Sequence, residues 1–498
     1  MRFSISNQQI IPDQLLTTSE KTLQISAIEN IPQQTLNPNF PFNQELQLQL
    51  TGKQLLLDDL PYSIEIIQKH YENGFLAYRK GITKDGSKHL CERCGNRDKL
   101  FLASFPCARC GEECVYCRKC LMMGRVSTCT PLISWTGPAL HIECADPPLS
   151  WEGTLSDGQR TASQRVVQAV QENKELLVWA VCGAGKTEVL FEGISEALSS
   201  GKRVCLATPR TDVVFELTPR LKKVFSNIPV ASLYGGSEDR YLNAPLTITT
   251  THQLLRFYEA FDTVILDEVD AFPYSVDATL QYAVRQSRKP ISSMIYLTAT
   301  PNEKWQKECR QGKREFVTIP ARFHRHPLPV PRFRWCGNWE KQLKKERLPP
   351  NVIQWIKLRL DSGKQCLLFV PKIDKMEKII PLVRKLHTNI EAVHAEDPKR
   401  KEKVQAMRNK ETLMLLTTTI LERGVTFPNI DVAVLGTEDR IFTESALVQI
   451  AGRVGRSSLA PDGDITFFHY GKTEAMIRAK KQILKMNDEA RKKGLIDY

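Results

Sequence analysis

A glycine-rich loop, Cys182-Gly183-Ala184-Gly185-Lys186-Thr187, limits the folds open to this chain more than any other segment. The loop follows an apolar run at residues 176–181 and precedes a helical pattern, so the local order is strand, loop, helix. In that order, backbone N–H groups surround a phosphate at the positive end of the helix. Lys186 would reach the β- and γ-phosphates of ATP, and the Thr187 hydroxyl would hold Mg²⁺. The loop therefore predicts a nucleotide-binding parallel α/β sheet, although Ala180 replaces the first glycine of the general pattern.

Acidic side chains and an amide group add to this predicted nucleotide site. A β-branched run at residues 263–266 ends in Asp267-Glu268-Val269-Asp270, and acids at the carboxyl tip of a strand lie where open α/β sheets bind ligands. We expect Asp267 to hold Mg²⁺ through the outer shell and Glu268 to position and activate the attacking water. Upstream, Ser156 fits a helix N-cap, and the Gln159 amide has the donor and the acceptor needed to read the edge of adenine.

Short β-branched runs alternate with helical stretches from residue 155 onward, which indicates parallel sheets covered by helices. A segment rich in Pro and Arg at residues 320–350 divides this region into two halves. In the N-terminal region, alternation at residues 45–50 suggests an edge strand, and residues 62–78 fit one helix. The predicted parts are an accessory segment 1–85, a cysteine module 86–135, a linker 136–153, a first α/β domain 154–320, a linker 321–350 and a second α/β domain 351–498.

Eight cysteines lie close together, in the pattern Cys91-x2-Cys94, Cys107-x2-Cys110, Cys114, Cys117-x2-Cys120 and Cys129. A Cys-x2-Cys turn directs two thiolates at one metal, and two such turns complete a tetrahedral Zn²⁺ site. The spacing permits two four-cysteine sites, or one site with spare thiols, and an iron–sulfur cluster is the alternative metal centre. A closed four-thiolate site has no open position for a substrate, so we expect the zinc to be structural.

Composition excludes some classes of protein and indicates a class of partner. The N-terminus lacks a basic segment followed by an apolar core, and no apolar run approaches the ~18–20 residues that span a bilayer, so we expect neither secretion nor a transmembrane segment. In a chain without export signals, clustered cysteines are read as metal ligands and not as disulfides. The net charge of +13 suggests a polyanionic partner, although solvated surface lysines give the same count.

In order along the chain, these motifs resemble superfamily 2 helicases from about residue 155 to 470. The resemblance implies two RecA-like domains that hydrolyse ATP, with a nucleic acid as the partner that they grip. The matching segments are Gln159, the phosphate loop, Ala207-Thr208-Pro209-Arg210, Thr249-Thr250-Thr251-His252-Gln253, Asp267-Glu268-Val269-Asp270, Thr298-Ala299-Thr300, Leu368-Phe369-Val370-Pro371, Thr418 through Arg423-Gly424-Val425, and Gln449-Ile450-Ala451-Gly452-Arg453-Val454-Gly455-Arg456. Ile450 and Thr426 depart from the residues common in the family, arginine and aspartate respectively.

The second half supplies the residues that would complete the site. Arg453 and Arg456 lie three residues apart, close to one helical turn, so both could face the space between the halves. A guanidinium there stabilises charge on the transferring phosphoryl group, and we expect Arg456 to be this arginine finger with Arg453 beside it. The resemblance further implies that the nucleic-acid backbone contacts hydroxyls and arginines, namely Thr208, Arg210, Thr250, Thr251, Thr418 and Arg423.

The cysteine module and the stretch Tyr116-Cys117-Arg118-Lys119-Cys120-Leu121-Met122-Met123-Gly124-Arg125-Val126 resemble the ComFA family of competence proteins. The resemblance implies zinc ligands, first Cys91, Cys94, Cys117 and Cys120, and then Cys107 and Cys110. It also implies a cytoplasmic ATPase stimulated by single-stranded DNA that helps to take up transforming DNA, at the inner face of the membrane through its partners. The implied partners are single-stranded DNA, ComFC, DprA and the membrane channel ComEC.

Three alternatives remain at the level of sequence. A PriA-like replication-restart helicase also combines zinc-binding cysteines with a similar motor, but its zinc module lies between motor motifs, whereas here the cysteines precede the motor. A DEAD-box RNA helicase usually has Ala-Asp where this chain has Val269-Asp270. The third alternative is a zinc-dependent DNA-binding adaptor whose nucleotide site only switches conformation.

Overall fold

The computed structural model describes residues 1–17, 20–86, 88–140, 147–423 and 427–497. Part of the predicted linker 136–153 and three motif residues, Gly424, Val425 and Thr426, lie outside these described residues. Contacts between Cα atoms divide the chain into two compact units. The first contains residues 1–152, 167–175 and 192–296, and the second contains residues 153–166, 176–191 and 297–498.

Among its described residues, the N-terminal part of the first unit has two α-helices and short antiparallel strand pairs around its own apolar core. The pairs are β1 with β2, β3 with β8, β4 with β5, and β6 with β7. In chain order the elements are β1 (Phe3–Ser6), β2 (Gln9–Pro12), α1 (Gln44–Leu50), α2 (Ile64–Glu72), β3 (Leu76–Lys80), β4 (Ile82–Asp85), β5 (Lys88–Cys91), β6 (Leu102–Pro106), β7 (Glu113–Cys117) and β8 (Pro131–Trp135).

The edge strand predicted at residues 45–50 is wrong, because this segment is the helix α1. The Asn43 side chain caps the helix by accepting a hydrogen bond from the Leu46 N–H at 3.0 Å. Leu46 and Leu50 lie one turn apart and are both buried, while the buried Gln47 donates its amide to the Pro138 carbonyl at 2.9 Å. The alternation of Leu and Gln is thus compatible with a helix, because the glutamine on the buried face has a hydrogen-bond partner.

The single helix predicted over residues 62–78 is shorter than expected, since α2 ends at Glu72 and β3 begins at Leu76. Gly74 forms the turn between them with φ +78°, in the left-handed region. A Cβ on Gly74 would lie 2.6 Å from the Thr35 backbone, so a side chain would collide there. The positive φ and the close approach to Thr35 together favour glycine at the turn between α2 and β3.

The remaining elements alternate strands and helices, as predicted. They are α3 (Asp157–Gln171), β9 (Glu175–Ala180), α4 (Phe191–Ser199), β10 (Val204–Thr208), α5 (Thr211–Val224), β11 (Val230–Leu233), β12 (Leu246–Thr250), β13 (Phe261–Leu266), α6 (Ala278–Ser287), β14 (Arg288–Thr298), α7 (Glu303–Arg310), β15 (Phe316–Ile319), β16 (Arg332–Trp335), α8 (Trp339–Leu343), α9 (Pro350–Asp361), β17 (Cys366–Phe369), α10 (Ile373–Arg384), β18 (Ile390–Val393), α11 (Arg400–Arg408), β19 (Met414–Thr417), β20 (Asp431–Leu435), α12 (Glu444–Ala451), β21 (Ile465–His469) and α13 (Glu474–Lys492).

Five strands of the first parallel sheet belong to the first unit, side by side in the order β11-β12-β10-β13-β14. The register places Val204 of β10 level with Leu246 of β12 and Thr263 of β13. In the second unit, β15 pairs in parallel with β9, the strand that leads into the phosphate loop. Parallel strands require crossover connections, and helices supply most of them here.

The second parallel sheet lies within the second unit, with strand order β16-β21-β20-β17-β19-β18. Alternate residues of β17 face opposite cores: Leu367 and Phe369 pack in one cluster, and Cys366 and Leu368 pack in the other. A sheet buried on both faces needs strands that are apolar at every position, which is why the segment at residues 366–369 shows no polar alternation.

These sheets confirm the predicted fold class, an α/β chain with two RecA-like parallel sheets that follow a small cysteine-rich module. The β-branched runs that indicated strands in the sequence coincide with β9, β10, β13, β17, β19 and β20. None of the helices in the described part of the chain combines the length and apolar character that a bilayer crossing requires.

Candidate nucleotide site and cysteine clusters

The phosphate loop begins at the carboxyl end of β9 and continues into a helical turn at Glu188–Leu190, followed by α4. Gly183 and Gly185 adopt φ +80° and +70°, which L side chains rarely do. A Cβ on Gly185 would overlap the side-chain nitrogen of Gln159. The strand, the two glycines and the helical turn therefore form the predicted loop, with Lys186 and Thr187 partly exposed on it.

Gln159 lies against this loop, within the second unit, and is 3 % exposed. Its side-chain N–H donates to the Ala184 carbonyl at 2.9 Å, and its side-chain oxygen accepts from the Ser156 N–H at 2.9 Å. Both ends of the amide thus join the start of α3 to the loop. Adenine recognition by Gln159 remains a prediction, and the observed contacts give this residue a loop-supporting role.

Arg322 is a residue of this site that the sequence analysis missed. Its guanidinium is 2 % exposed and donates to the Cys182 carbonyl at 3.1 Å, the Val454 carbonyl at 2.7 Å and the Gly452 carbonyl at 3.2 Å, and also to the Gly455 carbonyl. Burial, with a smaller contribution from the charge of Arg456, lowers the pKa of Arg322 to about 10, so the side chain still carries its charge at neutral pH. Arg322 thereby joins the start of the phosphate loop to the segment after α12.

A second contact joins the same two segments. The Cys182 thiol donates to the Gln449 side-chain oxygen at 3.0 Å, and Gly452 packs so closely on Cys182 that a Cβ there would overlap its side chain. Gln449 belongs to the motif that ends in the two predicted arginines. The thiol, the glutamine and Arg322 together place the phosphate loop beside that motif within the second unit.

The two predicted arginines do not share a helical face, because α12 ends at Ala451 and both follow it. Arg453 is 1 % exposed and donates from Nε to the Glu422 carbonyl at 3.1 Å. Arg456 is partly exposed and donates from Nε to the Gly452 carbonyl at 2.9 Å. Their different exposure makes Arg456 the more accessible of the two guanidinium groups.

The predicted acids Asp267 and Glu268 lie in the first unit, directly after β13. The Asp267 N–H donates to the Ala207 carbonyl at 2.8 Å, which extends the pairing of β13 with β10. The Asp267 carboxylate accepts from the Glu268 N–H at 2.8 Å, and Glu268 has φ +54°. Both side chains are partly exposed at the carboxyl edge of the sheet, as the sequence predicted.

Three of the predicted nucleic-acid residues, Thr208, Thr250 and Thr251, are buried where β10 and β12 end. The Thr251 N–H donates to the Thr208 carbonyl at 2.9 Å. Arg210 follows on the surface side and forms a two-point ion pair with Asp212, at 3.1 and 2.8 Å. The three threonine side chains are therefore packed inside the first unit, and their contact with a nucleic acid remains a prediction.

The other two predicted nucleic-acid residues lie in the second unit. Thr418 follows β19 and is partly exposed, whereas Arg423 is buried and donates to the Ser445 hydroxyl at 3.1 Å. Ser445 is also hydrogen-bonded to the Thr300 hydroxyl at 2.9 Å. Arg423 is thus connected through one serine to the motif at residues 298–300.

Eight buried cysteines form two groups in the first unit. In the first group, Cys91, Cys94, Cys117 and Cys120, the sulfur atoms all lie within 4.8 Å of one another. Cys91 and Cys120 are 3.6 Å apart, as are Cys94 and Cys117. This set is the one that the sequence analysis placed first, and four buried thiols at this spacing fit a closed tetrahedral Zn²⁺ site.

The second group joins Cys107 and Cys110, which were predicted as additional ligands, to Cys114 and Cys129. Its sulfur atoms also lie within 4.8 Å of one another. Spacing could not assign Cys114 and Cys129, because Cys114-x2-Cys117 has the same appearance as a chelating turn. The separate placement of Cys114 and Cys117 depends on their position on β7.

Comparison with known proteins gives the same order of parts. The N-terminal domain of the competence protein ComFA matches residues 33–134, a DEAD/DEAH box helicase domain matches residues 160–308, and a helicase conserved C-terminal domain matches residues 349–458. The competence protein ComFA of Bacillus subtilis is 48 % identical over 93 % of this chain and 99 % of its own length. This chain belongs to the ComFA family.

A second ComFA, from Streptococcus pneumoniae, is 41 % identical over 82 % of this chain and 93 % of its own length. Among solved structures, RecG bound to a three-way DNA junction has a TM-score of 0.48 and 17 % identity, over 69 % of this chain and 47 % of that chain. The helicase domains make this member of the ComFA family a helicase-like ATPase, whose site is of the kind that uses ATP and Mg²⁺. Membership also favours ComFA over the PriA-like alternative.

Proposed function

We propose that this chain is an ATP-driven, helicase-like translocase on single-stranded DNA that drives the uptake of transforming DNA during genetic competence. The observation that carries the motor part of the proposal is the joining of the phosphate loop to the segment of Arg453 and Arg456, through Arg322 and Gln449. Arginines beside a phosphate loop are the groups that stabilise charge on a transferring phosphoryl group, which favours hydrolysis over binding alone. Membership of the ComFA family supports the role in competence.

In the proposed reaction, backbone N–H groups of the loop and Lys186 bind the phosphates of ATP. Glu268 orients the attacking water and accepts its proton, and Arg456 stabilises negative charge as the γ-phosphoryl group is transferred. Arg453, which is held by the Glu422 carbonyl, supports the segment that carries Arg456. Such arginines contribute ~10³–10⁵ in rate in comparable enzymes.

The residues available to hold Mg²⁺ suit that ion. The Thr187 hydroxyl and the Asp267 carboxylate are hard oxygen donors, and both side chains are partly exposed. When bound, Mg²⁺ neutralises charge on the phosphate oxygens. Thr187 and Asp267 would hold the ion, and Glu268 would remain available for the water.

The first cysteine group suits Zn²⁺ in a structural role. Cys91, Cys94, Cys117 and Cys120 are buried, so the ion would have four sulfur ligands and no open position. Arg93, also buried, donates to the Met123 and Cys120 carbonyls at 2.8 and 3.0 Å and thereby fixes the turn that carries Cys120. The proposed function of this zinc is to fold the module that precedes the motor.

The proposed partner that the motor moves along is single-stranded DNA. Thr208, Arg210, Thr250, Thr251, Thr418 and Arg423 are the proposed backbone contacts, and the net charge of +13 favours a polyanion. Through family membership we also propose contacts with ComFC, DprA and the channel ComEC, with a cytoplasmic location at the inner face of the membrane.

The test of the proposal is the rate of ATP hydrolysis with single-stranded DNA, duplex DNA and RNA in the same buffer. We expect the largest stimulation with single-stranded DNA, and a stimulation that falls as salt rises because backbone contacts release counterions. An ATPase rate that is indifferent to all three nucleic acids would refute the translocase. Greatest stimulation by RNA would instead support the RNA helicase alternative.

Two variants separate the motor from the adaptor. Lys186→Ala and Glu268→Gln should each lower kcat by at least ~10²-fold, and both should abolish transformation. Lys307→Ala and Glu396→Gln make the same kinds of change at exposed positions and should keep full activity. If both motor variants transform cells normally, the motor proposal is wrong and the adaptor is correct.

A further inference from the structure

The second cysteine group has the dimensions of a metal site. Cys107 and Cys129 have sulfur atoms 3.7 Å apart, and those of Cys110 and Cys114 are 3.4 Å apart. Sulfur atoms of a tetrahedral zinc site with Zn–S bonds of about 2.3 Å are separated by about 3.8 Å. A disulfide would require about 2.05 Å. The spacing therefore fits four thiolates around one zinc ion, as it does in the first group.

The backbone at both groups has the same chelating turn. The Gly111 N–H donates to the Cys107 carbonyl at 2.9 Å, and Gly111 has φ +68°. In the first group, the Gly95 N–H donates to the Cys91 carbonyl at 2.7 Å, and Gly95 has φ +70°. Each Cys-x2-Cys-Gly turn thus directs its two thiols to one point, and the two turns serve different groups.

The strand β7 distributes the remaining ligands. Cys114 and Cys117 lie three positions apart on this strand, so their side chains point to opposite faces. Cys114 joins the second group and Cys117 joins the first. The pair therefore does not chelate one metal, despite its spacing, and each group receives four thiols.

Residues near the N-terminus surround the second group. The Gln24 side-chain N–H donates to the Cys110 sulfur at 3.7 Å and to the Glu113 carbonyl at 3.1 Å. The Met1 amino group donates to the Arg109 carbonyl at 3.2 Å, and Arg2 forms an ion pair with Glu112. These contacts place the accessory segment directly on the turn that carries Cys107 and Cys110.

The Ser26 N–H adds a backbone hydrogen bond to Thr128, at 3.1 Å, beside Cys129. We infer that Cys107, Cys110, Cys114 and Cys129 bind a second structural Zn²⁺, which orders the turns that hold the N-terminal segment. Metal ligands are commonly oriented by hydrogen bonds from their surroundings, and the Gln24 N–H would serve Cys110 in this way. This second zinc has a role distinct from that of the first, whose proposed function is to fold the module that precedes the motor.

The first test is the metal content of the purified full-length chain, measured by mass spectrometry of zinc and iron. We expect two zinc ions per chain, and one in either of two double variants, Cys107→Ser with Cys110→Ser and Cys91→Ser with Cys94→Ser. Cys309→Ser, at a buried cysteine outside both groups, is the control and should keep two. One zinc in the unaltered chain, or iron in place of zinc, would overturn the inference.

A second readout tests the link to the N-terminal segment. Lys21 is exposed, so trypsin can report on local opening there. Cys129→Ser should raise the rate of cleavage after Lys21 by about tenfold or more, while Cys309→Ser should not change it. Unchanged cleavage in a Cys129→Ser chain that has lost one zinc would contradict the clamping role. If every cysteine variant in the two groups loses both ions, the zinc count of the unaltered chain decides whether the second site exists: two ions support it and one ion refutes it.

Both readouts are independent of ATP turnover. A chain with two zinc ions and no ATPase activity would refute the proposed motor and leave the second zinc site intact. An active ATPase with one zinc ion per chain would refute the second zinc site and leave the proposed motor intact.

Discussion

Replacing Arg322 by Met tests whether this side chain joins the phosphate loop to the segment of the two arginines. Met fills a similar length without donors, so the carbonyls of Cys182, Gly452, Val454 and Gly455 all lose a buried partner. Each buried group left without a partner costs about 1–3 kcal/mol. Removing the buried charge returns part of this, about 3 kcal/mol, because burial lowers the pKa of Arg322 from its ordinary value to about 10.

The loss of these four partners, less about 3 kcal/mol, gives an expected net loss of about 1–9 kcal/mol in the free energy of unfolding. The cost of breaking a buried ion pair, about 3–5 kcal/mol, lies within that range. We expect kcat to fall by about 10²-fold at saturating ATP, since the segment of Arg456 is no longer held at the loop. Denaturant unfolding measures the first effect, and steady-state hydrolysis with single-stranded DNA measures the second.

Arg325→Met is the matched control for this substitution. Arg325 lies three residues further on and makes an exposed ion pair with Asp497 at 2.8 Å, so its loss should cost only about 0–1 kcal/mol. A loss of less than about 1 kcal/mol in Arg322→Met, with kcat within twofold of the unaltered chain, would refute the joining role.

Two further substitutions test the contact between Gly185 and Gln159 and the lowered pKa of Lys53. Gly185→Ala should displace the Gln159 amide and weaken ATP binding by about tenfold in a fluorescence titration. Gly312→Ala is its control, because Gly312 has φ +68° but no neighbour within 4 Å, and it should only add backbone strain of about 1–2 kcal/mol. Equal effects of the two on unfolding and on ATP binding would show that the Gln159 contact is irrelevant. Burial, with the charges of Arg203 and Arg256, lowers the pKa of Lys53 from 10.5 to about 8. Between these two pH values the unfolded chain binds more protons than the folded chain. The free energy of unfolding should therefore rise as the pH increases from about 8 to 10.5. Lys53→Met should remove this rise, of order 3 kcal/mol, from denaturant unfolding curves recorded at several pH values, and an identical pH profile in both chains would contradict the shift.

Much of the fold could be predicted because parallel strands buried on both faces have a distinctive sequence. The run at residues 366–369 is apolar at every position, and the structure buries both of its faces. The segment at residues 45–50 was misjudged for a related reason. Its Leu/Gln alternation has the period of a strand, but Asn43 caps it as a helix and Gln47 satisfies its amide on the Pro138 carbonyl.

The candidate site was predictable where neighbours in sequence act together, and not where distant residues meet. The loop that carries Lys186 forms from one continuous segment, so its glycines revealed it. Arg322 bonds to carbonyls more than 100 residues away in either direction, in a Pro- and Arg-rich stretch without periodicity. The exposure of Arg456 and the burial of Arg453 depend on where α12 ends, which the three-residue spacing does not reveal.

The strand β7 also restricts how the length of this module can vary. Because Cys114 and Cys117 serve opposite faces, inserting or deleting one residue between them would turn both thiols to the same face and leave one group short of a ligand. The segment between the first chelating turn and β6 has no such requirement, since it lies outside both the turn and the pairing of β6 with β7. Length changes are therefore tolerable at residues 97–101, whereas the spacing at residues 114–117 is fixed.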